Sequence, residues 1–412
     1  MAASFSDYRV ALSTPGALAP VLSSALGRLP IAMFGLATLL YVQRVSGSFA
    51  AAGLVTAGAL VGVSLGSVVQ GRLMDRIGPT RPLLVLTALF AVAVAALITA
   101  VETAQPLPVL VPLALVTGLT EPALPAASRA LWGVLLPPGP GRDAAYTYEA
   151  ISLEVFFIIG PAFAAFLVLA PWPGTGLVVA ALAMVLGALG FALSRPVRNR
   201  RAASARSSVG LLGALAEPAM RTVAVASLGF GVVVGTVEVG VPAVTAAAGS
   251  PALGGVLISA WSVTSVLAGL LYSLRPWPRP LHLRMPVLLG AFAVLVGAMA
   301  LVGPSGSLVV LTLAMLAAGG LITPQVTAHS IAIDAAAPAG TATEAFGWVI
   351  TAATLGLAIG QSMAGVMVEA AGPPAAFLAG GLAGLLLAGV LWARRRTLLV
   401  ERDPARVCVA VL

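Results

Sequence analysis

Long apolar runs separated by short polar turns repeat along the whole chain, and their lengths predict membrane-spanning helices. The runs fall near Ala19–Val42, Ala50–Val69, Leu83–Val101, Leu107–Leu131, Tyr146–Leu169 and Gly176–Leu193. A second set falls near Thr222–Ala246, Leu253–Leu274, Met285–Val302, Leu308–Ile333, Thr341–Val368 and Ala375–Trp392. Each is close to the roughly 20 residues that cross about 30 Å of hydrocarbon. Helices are the expected form, because uninterrupted apolar runs lack the alternation of a barrel strand. The pattern predicts an all-α polytopic membrane protein of 12 transmembrane helices, numbered here as spans 1 to 12.

The polar breaks suggest a division of the chain. Residues 1–194 are expected to form an N-terminal six-helix half, 195–220 a basic linker, 221–393 a C-terminal six-helix half and 394–412 a tail. Arg195, Arg198, Arg200, Arg201 and Arg206 make the linker the most basic loop. On this topology Arg72, Arg76, Arg81, Arg142, Arg275, Arg279, Arg284 and Arg394 to Arg396 share its side, and only Arg44 falls opposite. Basic loops stay cytoplasmic, so a multi-pass protein of the cytoplasmic (inner) membrane with both termini inside is expected. The opening 16 residues have no cleavable signal pattern, which leaves span 1 as the expected insertion signal.

Composition narrows the chemistry. The chain is 59% hydrophobic and 9% charged, with a net charge of +8, beyond the range of a soluble domain. The basic residues sit at loop ends rather than on one face, so the charge is no nucleic-acid footprint. All 22 of them are arginine, and without lysine there is no Walker loop, which excludes an ATP-driven pump. Cys408 is the only cysteine, and neither a Cys/His metal cluster nor a HExxH or Gly-x-Ser-x-Gly motif occurs. The expected protein is a monomer and not an enzyme, with no metal and no cofactor. Its partners are the lipid bilayer and a small-molecule substrate, and a proton gradient is its energy source.

Between spans 2 and 3 lies Gly71-Arg72-Leu73-Met74-Asp75-Arg76-Ile77-Gly78-Pro79-Thr80-Arg81, a polar passage with both charge signs at fixed spacing. It resembles the helix 2–3 loop of the major facilitator superfamily (MFS). The halves also echo each other: Tyr146-Thr-Tyr-Glu149-Ala150 and Thr341-Ala-Thr-Glu344-Ala345 are offset by 195, and Gly71 and Gly269 by 198, with Ser273 where Asp75 would recur. The resemblance implies the MFS fold, two pseudo-symmetric six-helix bundles. It further implies that Asp75 faces the N-terminus of span 11, where unpaired amides carry partial positive charge. Arg76 and Arg81 would then bridge to the end of span 4. Gly71 allows close helix packing and Gly78 a turn that a β-carbon would resist. The loop reads as a latch on the cytoplasmic gate.

In the family, helices 1, 4, 7 and 10 line a central cavity, and here each carries one ionisable group: Arg28, Glu121, Glu238 and His329. Such groups inside a membrane are functional candidates by default. Arg28 and Glu121 are placed at similar depth, so they are expected to pair, and protonation of Glu121 would free Arg28 for substrate. Glu238 has no basic residue at its depth, which suits a carboxyl that gives up a proton toward the outside. Glu154 is a second relay candidate, and Gln325 beside Pro324 a substrate hydrogen-bonding group. Glu149 is expected beside Arg129 as a structural pair, and Thr341-x-x-Glu344 has the spacing of a capping box. Pro122, Pro125, Gly160 and Pro161 should kink spans 4 and 5. Gly160-Pro161 resembles the core of the antiporter motif of drug–proton exchangers, with Phe156 and Ala164 where that motif has glycines. The expected function is secondary active transport of a small organic molecule by alternating access, as proton-coupled efflux. The alternatives are proton-coupled uptake of a sugar or organic anion and, remotely, a non-transporting membrane sensor or enzyme.

Overall fold

The structure, a computed structural model, describes residues 4–47, 49–167, 170–200, 212–250, 252–274, 279–301 and 307–399. The sequence positions Arg201, Arg206, Arg275 and Cys408 lie outside the described residues. Among those described there is no strand. The first six spans are Leu18–Ser46, Phe49–Ile77, Thr80–Glu102, the two-part Leu107–Thr120 and Leu124–Leu135, Pro140–Leu167 and Thr175–Leu193. The second six are Pro218–Ala247, Ala252–Leu274, Leu281–Ala298, the two-part Leu308–Gly319 and Ile322–Ala336, Ala342–Ala371 and Pro373–Arg394. Eleven of these are long and apolar enough to cross a membrane on those grounds alone. The twelfth, Pro140–Leu167, carries Arg142, Asp143, Glu149 and Glu154 and is held among spans 1, 8 and 10.

Helix partners repeat between the halves. Span 1 packs on spans 5 and 6, span 2 on span 4, and span 3 on span 6; in the second bundle span 7 packs on spans 11 and 12, span 8 on span 10, and span 9 on span 12. The bundles meet through spans 2 and 11 and through spans 5 and 8. Outward faces carry exposed leucine and valine, among them Leu65, Val92, Leu182, Val309, Leu313 and Leu386. In water such a surface would aggregate, whereas hydrocarbon solvates it. With no hydrophobic drive between helices in lipid, close packing at small residues holds the bundles. A β-carbon on Gly118 would stand 1.9 Å from the Ala59 carbonyl oxygen, and one on Gly62 2.1 Å from that of Leu115, so spans 2 and 4 touch backbone to backbone.

Two elements depart from the apolar pattern, and both matter for the site. Span 5 begins at Pro140, six residues before its apolar run, because Arg142 and Asp143 sit within the helix rather than in a turn. Spans 4 and 10 are each broken near the middle rather than merely kinked, at Glu121–Ala123 and at Gly320-Leu321. At the first break Glu121 leaves helical geometry (φ −55°, ψ 121°) ahead of Pro122, which has no amide hydrogen to continue the ladder.

Candidate functional site

At the arginine-rich end, span 2 closes against the start of span 11. Asp75 accepts hydrogen bonds from the backbone amides of Thr343 (3.2 Å) and Glu344 (2.8 Å), and Arg200 of the linker pairs with it at 3.1 Å. These are first-turn amides of a 30-residue helix, so the carboxylate satisfies orphan donors and meets the positive end of the helix dipole. Burial lowers the Arg200 guanidinium from the ordinary arginine value, and the Asp75 carboxylate opposes that shift. Arg200 also donates to the Thr343 hydroxyl at 3.2 Å. Glu344 pairs with Arg72 at 3.0 Å and accepts from the Ala214 amide and the Trp348 indole, each at 3.0 Å. Gly78 takes φ +83°, the left-handed turn expected of it.

Two expectations fail here. Arg76 and Arg81 are exposed, and the arginines that reach the junction are Arg72 and the linker's Arg200. Thr341 makes no side-chain cap, since its hydroxyl donates back to the Pro338 carbonyl and Glu344 is engaged by Arg72, Ala214 and Trp348. Deeper along the same seam, the Ser67 and Thr351 hydroxyls lie 2.8 Å apart and Thr351 donates to the Ser64 carbonyl. A second bridge joins span 5 to span 10: Arg142 pairs with Asp334 at 3.0 Å, while Tyr146 donates to the same carboxylate at 2.9 Å. Arg142 also donates to the Gly133 and Leu136 carbonyls and so caps span 4. A cleft of about 520 Å³ lies at this junction, walled by Asp75, Arg200, Tyr146, Asp334 and Phe346 among others. By contrast, polar groups toward the opposite end bond within their own bundle, as Tyr41 and Trp172 do with Glu102, and Gln361 with Glu238.

Gly71 has no room for a side chain at this seam. A β-carbon there would lie 2.7 Å from the Glu344 Cα and 2.8 Å from the Thr343 carbonyl oxygen, both backbone atoms that cannot rotate away. Gly71→Ala is therefore expected to push spans 2 and 11 apart and weaken the closed junction by about 1–3 kcal/mol, the range for overpacking. Faster solvent labelling of a cysteine placed at Thr351 checks this; an unchanged rate would mean that the seam absorbs the methyl group.

Inside the first bundle Arg28 and Glu149 form a buried ion pair, with exposures of 2% and 1%. Arg28 also donates to Ser152 at 2.9 Å, and Glu149 accepts from the Ser128 hydroxyl and the Trp132 indole, each at 2.8 Å. The expected partner, Glu121, is elsewhere. Arg28 lies ten residues beyond Leu18 and Glu149 nine beyond Pro140, the same depth of about 14 Å, whereas Glu121 is fourteen residues short of Leu135, near 21 Å. Arg129 lies within electrostatic reach of Glu149 without bonding to it, so the anticipated Glu149–Arg129 pair is replaced by Glu149–Arg28.

The breaks in spans 4 and 10 are stitched from the neighbouring spans. Gln70 of span 2 donates to the Leu119 and Glu121 carbonyls (2.9 and 2.8 Å) and accepts from the Ala123 amide (2.9 Å). Ser265 of span 8 accepts from the Thr323 amide at 3.1 Å and lies 2.8 Å from the Thr323 hydroxyl. Among the described residues no group bonds to the Glu121 carboxyl. Gln325, 1% exposed, leaves both polar atoms of its amide unpartnered, and His329 bonds Ser227 through Nδ1 (3.1 Å) and leaves Nε2 unpartnered. Glu154 of span 5 sits against the Ser262 hydroxyl of span 8. Glu238 is on an exposed face and accepts from Gln361 at 2.8 Å, so it is not without a partner as expected. Gly160 packs on Ala32 of span 1, where an added β-carbon would meet the Ala32 β-carbon at 2.7 Å, and Pro161 lies inside the same helix. Sequence reasoning gave no site role to Gln70 and Asp334, polar residues inside spans 2 and 10, or to Arg200 of the linker.

The two repeated halves thus carry interruptions at corresponding places, each with unpartnered polar groups nearby. Comparisons with known proteins agree with that architecture. The sequence model of the Major Facilitator Superfamily matches residues 21–345. An uncharacterized MFS-type transporter, y4rN of Sinorhizobium fredii, is 27% identical over 275 residues, 64% of this chain and 66% of that protein, just under two thirds of its length. The fold is similar to that of the human organic anion transporter MFSD10 (TM-score 0.71, 19% identity, 93% of this chain and 99% of that one). It is similar also to a bacterial homologue of the iron transporter ferroportin in an outward-facing state (TM-score 0.74, 15% identity, 92% and 99%). The E. coli fucose:proton symporter matches with a TM-score of 0.69 at 14% identity, over 94% of this chain and 99% of that one. At these identities the solved structures speak to the fold alone.

Proposed function

The chain belongs to the Major Facilitator Superfamily, and from that premise we propose that it exports a small organic molecule across the cytoplasmic membrane in exchange for protons. As a member it is a secondary transporter, and family and fold are those of transporters rather than enzymes. The arginine-rich loops support a cytoplasmic position for the junction at Asp75, with both termini inside. The conformation is then the one closed to the cytoplasm, and transport requires the Asp75 and Asp334 bridges to break as the bundles rock.

One observation carries the coupling: the Glu121 carboxyl stands at the break of span 4 without a hydrogen-bonding partner, while its own carbonyl and the neighbouring amide are engaged by Gln70. A carboxyl so placed can take a proton from one side and release it to the other without first breaking a structural bond. Gln325 and His329 on span 10 offer donors and acceptors to the solute, and Glu154 and Glu238 are further proton sites. The Gly160 contact on span 1, made by the Gly160-Pro161 pair that resembles the antiporter core, supports the export reading.

The test starts from solutes that raise the melting temperature of the purified protein, because only ligands of the folded state do so. In proteoliposomes a pH step should drive such a solute against the proton flow. Glu121→Gln is expected to abolish pH-driven accumulation while exchange of solute at equal pH continues. Full pH-driven transport by this variant would reduce Glu121 to a packing residue, and solute moving together with protons would convert the assignment to uptake.

A further inference from the structure

Two buried guanidiniums of the first bundle, Arg28 and Arg129, share a single carboxylate. Arg129 of span 4 is 7% exposed, its Nε is enclosed and unpartnered, and among the described residues its guanidinium makes no hydrogen bond. Its electrostatic neighbours are Glu149, Arg28 and Tyr146. Glu149 is already engaged by Arg28, Ser128 and Trp132. Asp334, which borders the cleft at this junction, is held by Arg142 and Tyr146. Two guanidiniums thus face one carboxylate, in a setting where a lone charge is strongly disfavoured. A static packing role would call for a second acceptor, and the structure supplies none at Arg129. The cleft at the cytoplasmic junction reaches to Ala130, Gly133 and Tyr146, the residues that flank Arg129, and its remaining wall includes the apolar Met74, Ile333 and Phe346.

We propose that the transported solute is an organic anion and that Arg129 receives its charged group from the cytoplasmic cleft, with the Arg28–Glu149 pair fixing the geometry behind it. The inference rests on the carrier reading and deepens it. A planar guanidinium with its donors free matches a carboxylate, sulfonate or phosphate monoester in a two-point hydrogen bond, and the apolar wall accommodates the organic body. Binding would give Arg129 the acceptor that Glu149 already gives Arg28. A neutral isostere of the same shape would not.

The experiment compares benzoate and benzenesulfonate with benzamide and benzenesulfonamide as probes of the melting temperature of the detergent-purified full chain, and repeats the series with Arg129→Gln and Arg129→Lys. Wild type is expected to be stabilised by the two anions and not by the amides. Arg129→Gln should lose at least about tenfold in apparent anion affinity, the effect of removing a charge-assisted pair, with partial recovery in Arg129→Lys. Without ligand Arg129→Gln should melt at or above the wild-type temperature, because the guanidinium that lacks an acceptor is gone. Equal responses to anion and amide, no response to either anion, or a ligand-free Arg129→Gln that melts lower would each overturn the proposal. So would stabilisation by added phosphatidylglycerol alone, which would assign Arg129 to a lipid headgroup. The melting temperature reads binding and not flux, so failure here leaves proton-coupled transport, which the proteoliposome assay tests separately, standing.

Discussion

Glu149→Gln is expected to abolish transport and to destabilise the protein by about 3–5 kcal/mol, the range for breaking a buried pair by removing one partner. The carboxylate is 1% exposed and accepts from Arg28, Ser128 and Trp132 at once. An amide in its place presents donors where three donors already point, and leaves Arg28 and Arg129 as two uncompensated charges inside the bundle. Spans 1, 4 and 5 meet at this carboxylate, so the loss propagates to the packing of the half that must move as a body. The melting temperature of the purified variant and its solute flux check the expectation together. A variant that melts like the wild type would mean that water, not Glu149, balances Arg28.

Asp75→Asn should show the second large effect, on conformation rather than on folding. The aspartate joins two first-turn amides of span 11 and the linker's Arg200, three charge-assisted bonds that exist only while the bundles touch at this end. Replacing the charge should cost the closed state about 2 kcal/mol or more, which shifts the balance between closed and open forms at least thirtyfold. A cysteine at Gln325 in a Cys408→Ser background reports this, since Gln325 is enclosed in the closed form. Its labelling from the cytoplasmic side should accelerate accordingly in membrane vesicles. Arg200→Gln should accelerate it less, and the double variant should fall short of the product, because both act through one carboxylate. An unchanged rate in Asp75→Asn would leave the loop as a topology signal only.

Much of this fold can be read from residue order. Twelve apolar runs, the 195- and 198-residue echoes and the Gly71–Arg81 loop predict two related six-helix bundles, and the Asp75 contact with the start of span 11 follows from the resemblance. Partner identities at depth were less legible. The place of Glu149 was misjudged because an apolar run marks where a helix enters hydrocarbon, and span 5 starts six residues earlier, at Pro140. Arginine spacing tells which side a loop faces but not which side chain turns inward, so Arg76 and Arg81 stood in for Arg72 and Arg200. Glu238 looked solitary because its partner Gln361 is 123 residues away on span 11 and carries no charge. The stitching of span 4 by Gln70 depends on a pairing of spans 2 and 4 that hydropathy alone does not specify.

For a solute to pass, the two bundles must part at the Asp75 end. A Ser67→Cys, Thr351→Cys double variant puts this to the test, because those hydroxyls lie 2.8 Å apart across the seam and a disulfide there would lock the closed form. Combined with the Gln325 reporter and read by mass spectrometry at that position, the locked protein should be unreactive from the cytoplasmic side and inactive in flux, and reduction should restore both. Flux that continues at the wild-type rate with the disulfide intact would mean that the solute crosses without the bundles parting at this seam.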